Sequence, residues 1–278
     1  MLEEASGTIV LLDGCPLHYA RRGRGPAVLF VQGVGVHGEG WRPQVDEFAG
    51  EQTCLTLDNR GLGRSRPAGQ RLSVERMASD ALAILDHARV ESAHVVGHSL
   101  GGQVALRLAL AHPERVRSLA LLCTFADGAA ASRGGRMLWL GLRSRLGTAR
   151  ARRRAFLRIL LPPGEPTGAE LDALAERLAP LFGHDLSVQP SIAMEQIRAF
   201  RRCNLRARLP ELSAIPSLVV SAAHDLIAPP ALGREIAAGI PGARYAELAD
   251  AAHGAPLTHV AQVNGLLREH FAAAKRPR

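Results

Sequence analysis

The stretch Val95-Val96-Gly97-His98-Ser99-Leu100-Gly101-Gly102 is a short apolar run that ends in G-x-S-x-G and opens into an Ala/Leu-rich segment. It reads as a nucleophile elbow: a serine on a sharp strand-to-helix turn, flanked two residues either side by glycines because a Cβ there meets neighbouring backbone. Ala93 to Val96 is predicted as a buried strand. Ser99 to Ala111 keeps apolar residues at helical spacing until His112-Pro113 stops it. A glycine-rich junction holding a passive serine gives the same five letters, so the surrounding chain has to decide.

Working outward, Thr8 to Leu12 and Leu17 to Arg21 around Asp13-Gly14 read as a hairpin. Ala27 to Val31, Thr53 to Leu57 and Val116 to Cys123 are apolar runs of the kind that a parallel strand buried on both faces produces. A helix from about Ser73 to Ala88 lies between the second of these and the elbow. This alternation predicts an α/β fold with a mostly parallel central sheet and helices on both faces. From Asp127 to Leu212 only helical segments are found, broken at Gly147, Leu161-Pro162-Pro163-Gly164 and Gln189-Pro190. Residues 127–212 are therefore expected to form a helical lid inserted into a core of residues 1–126 and 213–278. The sheet resumes with Ser217 to Ser221 and Arg244 to Leu248, with helices near Pro230 to Ala238 and Leu257 to Ala273.

The 278 residues can bury a large core without staples. Cys15, Cys54, Cys123 and Cys203 are far apart, form no C-x-x-C and read as reduced core thiols, not disulfides or metal ligands. No basic-then-apolar leader and no membrane-length apolar run is present, so the expectation is a cytoplasmic protein without stable membrane insertion. The net charge is +8, almost entirely from arginine, since Lys275 is the only lysine. That excludes a buried Schiff-base lysine or a Ser-Lys pair. Few aromatics and no recognisable motif argue against a nucleic-acid partner. Nothing in the chain indicates its oligomeric state.

Gly33-Val34-Gly35-Val36-His37-Gly38 is also literally G-x-G-x-x-G after a strand, with Asp58 about 20 residues on. A dinucleotide site needs a helix N-terminus whose amides face the pyrophosphate. Here Glu39, Gly40 and Pro43 follow, the helix is expected near Arg42 or Pro43, and the dinucleotide reading is the weaker one.

Serine hydrolysis needs a histidine to take the hydroxyl proton, an acid to orient that imidazole, and amides for the oxyanion. Asp225 follows the strand after the lid and His253 follows the last strand. Both fall at the carboxyl edge of the sheet, where open α/β folds place their sites, and the order Ser99, Asp225, His253 suits the architecture. Asp127, after the strand that follows the elbow helix, is the rival acid. His98 reads as a brace of the elbow, and His94, His112 and His270 as surface or helix-end residues. Asp58, Arg60 and Ser65 read as a hydrogen-bonded turn, while His37 and Glu39 could reach substrate or face solvent.

Over almost its full length the chain resembles the α/β-hydrolase family. The resemblance rests on Gln32-Gly33 with Trp41, Asp58-x-Arg60-Gly61-x-Gly63-x-Ser65, Gly97-His98-Ser99-Leu100-Gly101-Gly102, His224-Asp225-x-x-Ala228-Pro229 and Ala252-His253-Gly254. It implies Ser99 as nucleophile, His253 as base and then acid, Asp225 as orienting acid, and an oxyanion hole from the backbone N–H groups of Leu100 and Val34. Gln32 departs from the His usual in the first loop.

The expected function is hydrolysis of a small-molecule carboxylic ester through an acyl-enzyme, with no cofactor and no metal. The apolar lid residues suggest a hydrophobic acyl or ring group. Thioesterase, enol-lactonase, C–C hydrolase or peracid chemistry on the same triad, and a receptor-like binding module, are alternatives. Arg136, Arg143, Arg150, Arg154 and Arg158 share one face if their segment is a single helix, either as a solvated face or as a handle for an anionic substrate.

Overall fold

In the computed structural model, residues 4–11, 13–68, 71–164 and 166–274 are described; Leu12 of the expected hairpin and Lys275 lie outside them. The elements run β1 (Glu4–Val10), β2 (Pro16–Arg22), β3 (Ala27–Val31), α1 (Arg42–Phe48), β4 (Thr53–Leu57), α2 (Val74–His87), β5 (Ala93–His98), α3 (Leu100–Ala111) and β6 (Val116–Leu122). Then come α4 (Gly135–Arg143), α5 (Ala149–Leu160), α6 (Gly168–Phe182), α7 (Ala193–Arg201), β7 (Ser217–Ala222), α8 (Pro230–Gly239), β8 (Arg244–Leu248), α9 (Ala255–Thr258) and α10 (Val260–Ala274).

The strands form one sheet in the order β1-β2-β4-β3-β5-β6-β7-β8, parallel from β4 onward, with β1 and β2 antiparallel at one edge. Side chains alternate across each buried strand, so every strand feeds two cores. Leu29, Val31, Val95, Leu119, Leu121 and Val219 pack with α2, α3 and α8. Val28, Phe30, Val96, Ala120, Leu122, Leu218 and Val220 pack with α1 and α10 on the other face. The unbroken apolar runs of the sequence follow from this double burial.

Between β6 and β7 the described residues form helices α4 to α7, touched by a single bridge pairing Asp127 with Asn204. This insertion has its own small core, in which Leu157, Leu171, Leu178 and Phe182 enclose Val36 from the loop after β3. One expectation is corrected. Leu257 to Ala273 is not one helix, because the chain leaves helical geometry at His259, between α9 and α10. The arginine stripe is divided between α4 and α5, since Gly147 takes φ +91° in the connection. All four cysteines are buried and unpaired.

Candidate active site

The elbow is built from backbone collisions avoided. A Cβ on Gly97 would lie 2.3 Å from Gly101 O, and one on Gly101 would lie 2.0 Å from Val31 O, so neither position admits a side chain. Ser99 sits between them at φ 54°, ψ −121°, a conformation an L-residue adopts at a cost of about 1–3 kcal/mol. Three hydrogen bonds hold it there. Its N–H donates to Leu122 O (3.0 Å), and its carbonyl accepts from Gly102 N (2.9 Å) and Thr124 Oγ1 (2.6 Å). Thr124 was not singled out from the sequence, for a hydroxyl just past a strand has no pattern of its own.

Asp225 and His253 come together at the ends of β7 and β8. Asp225 Oδ2 is 2.8 Å from His253 Nδ1, and Oδ1 accepts from the amides of Ile227 (2.7 Å) and Ala228 (2.8 Å). Burial alone would raise the Asp225 carboxyl; the His253 charge and hydrogen bond, with the two amides, outweigh it and hold the pKa below the ordinary value. An ionised acceptor at Nδ1 leaves Nε2 as the imidazole's basic nitrogen. His98 Nε2–H donates to His253 O (2.9 Å), and the two rings lie 4.8 Å apart. Burial, then the neighbouring His253, push the His98 pKa down to about 3, so it braces the site as a neutral ring.

Ser99 and His253 line one cavity of about 450 Å³ with Gln32, Gly33, Val34 and His98. The insertion supplies most of the remaining, mainly apolar wall, including Leu138, Leu142, Phe156, Phe182 and Phe200. No hydrogen bond joins Ser99 Oγ to the imidazole among the described contacts; bonds of this kind tighten when substrate is seated. Gly33 brings its loop against Ser99, since a Cβ there would stand 3.1 Å from Ser99 Cβ. Val34 N has no hydrogen-bond acceptor among the described residues, and Leu100 N opens α3, where an amide has no intrahelical partner.

The loop carrying Val34 is held from both sides. Gln32 accepts its neighbour's amide, Gly33 N, at 3.1 Å, and Asn59 Nδ2 donates to Gln32 O at 3.0 Å, so glutamine braces the turn in place of histidine. From the insertion, Gln196 Oε1 accepts from Gly35 N (2.9 Å), His184 Nε2–H donates to Gly35 O (3.0 Å), and Phe182 O accepts from His37 N (3.3 Å). These contacts span well over a hundred residues and leave no trace in local sequence.

The other candidates fall elsewhere. Asp127 caps Ala129 N and pairs with Arg206, away from His253. His37 and Glu39 do not line the cavity: His37 packs near His184, and Glu39 binds Arg42. His94 and His270 are buried, not surface residues; His94 bonds Ser118 Oγ, and burial pushes the His270 pKa down to about 4. Arg60, 1% exposed, grips Asp80 bidentately (2.7 and 2.6 Å) and Asp13 (2.6 Å), while Asp58 and Ser65 tie the adjacent turn. A single 3-10 turn does begin at Gly38, but Gly38 N is bound to Asp58 Oδ1 at 2.9 Å. The protein's own carboxylate fills the place a pyrophosphate would need.

Residues 26–260 match the alpha/beta hydrolase fold family. The chain is 35% identical over 241 residues to a protein of Azorhizobium caulinodans provisionally named carbamate hydrolase RutD, covering 85% of this chain and 88% of that one. It is 31% identical over 277 residues to a Mycobacterium tuberculosis protein provisionally named non-heme bromoperoxidase BpoC, covering 93% and 98%. The solved enol-lactonase of Burkholderia xenovorans LB400 superposes with a TM-score of 0.79 at 25% identity, covering 96% of this chain and all of that one, 100%. By sequence, sheet order and elbow geometry, the chain belongs to the alpha/beta hydrolase fold family.

Proposed function

We propose that the protein is a serine hydrolase that cleaves a small carboxylic ester through an acyl-enzyme. The observation that carries this reading is the Asp225–His253 pair opening, with Ser99, into one largely apolar cavity. The insertion of residues 127–212 acts as the lid that shapes that cavity.

In the first half-reaction His253 Nε2 takes the Ser99 proton as Oγ bonds to the carbonyl carbon, and the carbonyl π electrons move to oxygen. The Val34 and Leu100 amides receive that oxyanion, and Asp225 stabilises the imidazolium without taking its proton. Collapse expels the alkoxide, which leaves with the imidazolium proton as the alcohol. Water then repeats the sequence: His253 deprotonates it, hydroxide adds to the acyl carbon, and Ser99 departs with its proton restored. The Asp225 carboxylate, kept ionised by His253 and by its two amides, keeps Nε2 free to act as the base.

The names of the relatives favour a second reading within the same machinery, a carbamate or lactone as the acyl donor. Both use the same attack on an acyl carbon, so the cavity decides between them. A fluorophosphonate probe tests the nucleophile: labelling of the intact protein that is lost in Ser99→Ala supports the reading, and labelling that persists overturns it. Ranking aryl esters, carbamates, lactones and thioesters by kcat/KM then identifies the acyl donor.

A further inference from the structure

The first half of the insertion is unlike the rest of the chain. Between Asp127 and Glu165 there are nine arginines and no aspartate or glutamate. Arg150, Arg153 and Arg154 are tied to Asp172 and Asp185. Arg133, Arg136, Arg143 and Arg145 have no carboxylate partner among the described residues: Arg133 donates to Ala129 O, Arg143 lies over the Trp139 ring at 6.0 Å, and Arg145 reaches Met194 Sδ.

Among these cations α4 and the turn after it hold out apolar side chains. Leu138, Trp139, Leu142 and Leu146 are between 53% and 61% exposed, and they are four of the five large apolar residues of the described chain exposed to that degree. Arg136, Trp139 and Arg143 recur at helical spacing on one stripe, with Leu138 and Leu142 beside it. Exposed leucine and tryptophan flanked by unpaired arginine suit a boundary between anionic headgroups and acyl chains. A second copy would set cation against cation. A nucleic acid would neutralise the arginines but would leave the leucines without apolar cover.

The geometry points to a docking surface: α4 and the following turn, Arg133 to Leu146, bind the surface of an anionic phospholipid bilayer, with Trp139 and Leu146 entering the headgroup boundary. Leu138 and Leu142 also line the cavity of Ser99, so docking sets the cavity mouth against the lipid. That consequence for substrate rests on the hydrolase reading; the docking itself does not.

The protein carries its own reporter, because Trp41 is fully buried and Trp139 is the other tryptophan. The full chain is mixed with vesicles of phosphatidylcholine, alone or with phosphatidylglycerol, and followed by co-sedimentation and tryptophan emission. Partition onto the mixed vesicles only, a blue shift of Trp139 and loss of binding with added salt are expected. Arg136→Gln and Arg143→Gln each lower the partition about fivefold, and Leu146→Ser lowers it without touching the cavity wall. No partition onto anionic vesicles, partition unchanged in all three variants, capture of RNA but not vesicles, or a dimer broken by Leu146→Ser with no vesicle binding would each overturn the proposal.

Discussion

Arg60 with Asp80 in the sheet half, and Arg150 and Arg154 with Asp172 in the insertion, are the same chemistry in two surroundings. The first pair is buried, 1% and 3% exposed, and the guanidinium also binds Asp13 and the carbonyl of Ala68. The second lies open to water, where Arg154 and Arg150 hold the Asp172 carboxyl well below its ordinary range. In the sheet half, polar groups are fixed by partners that water cannot replace. In the insertion they are fixed by partners that water can. A different contrast separates the site's parts: Asp225 is oriented by backbone amides two and three residues on, whereas the Val34 loop is held partly by Gln196, a buried side chain of the insertion far away in sequence.

The severest test of the contrast is Asp225→Asn, which keeps the fold but leaves the imidazole in the wrong tautomer. A fall of about 10⁴ in kcat is expected, measured by steady-state kinetics on whichever ester turns over. Next, Asp80→Ala removes the bidentate partner of the buried Arg60 and leaves Asp13 as its one counter-ion, which is expected to cost about 3 kcal/mol in denaturant unfolding. A loss below 1 kcal/mol would erase the distinction between the two halves.

Gln196→Leu tests whether the insertion reaches into the chemistry. It releases Gly35 N in the loop of Val34, and if that loop receives the oxyanion as proposed, a drop of about tenfold in kcat, larger than any change in KM, is expected. A change in KM alone would confine the insertion to binding.

Two histidines, His98 at the cavity and His270 in the core, give a smaller, pH-dependent effect. His98 and His270 hold pKa values of about 3 and about 4 against 6.5 in the unfolded chain. Between pH 6.5 and about 4 the unfolded state binds more protons. Their contribution is whole above 6.5 and is lost as pH falls, so the thermal midpoint should slope downward over that window. His270→Asn should flatten part of the slope. Smallest of all, Asp172→Ala should leave the global midpoint close to wild type while amide exchange in α5 and α6 quickens.

Much of the candidate site could be read in the chain because its rules are local. G-x-S-x-G is dictated by Cβ clashes within a few residues and with the neighbouring strand, and Asp225 and His253 follow strands that the apolar runs mark. The hydrogen-bonded turn around Asp58 and Arg60 was legible for the same reason. Surface places for His94 and His270 do not follow from their local patterns, because burial of a strand or helix histidine depends on what packs over it, which for His94 is Phe271 from the far end of the chain. His184 and Gln196 carry no signal in the sequence because each acts on a loop far away along the chain.

The sequence by itself determined the parallel sheet, the elbow and the residues at its strand ends, since these follow from side-chain alternation and backbone sterics over short spans. Only the tertiary structure decided that the insertion clasps the loop of Val34 and which apolar residues of α4 stay exposed. Those outcomes depend on contacts between segments distant in the chain, and local patterning carries no record of them.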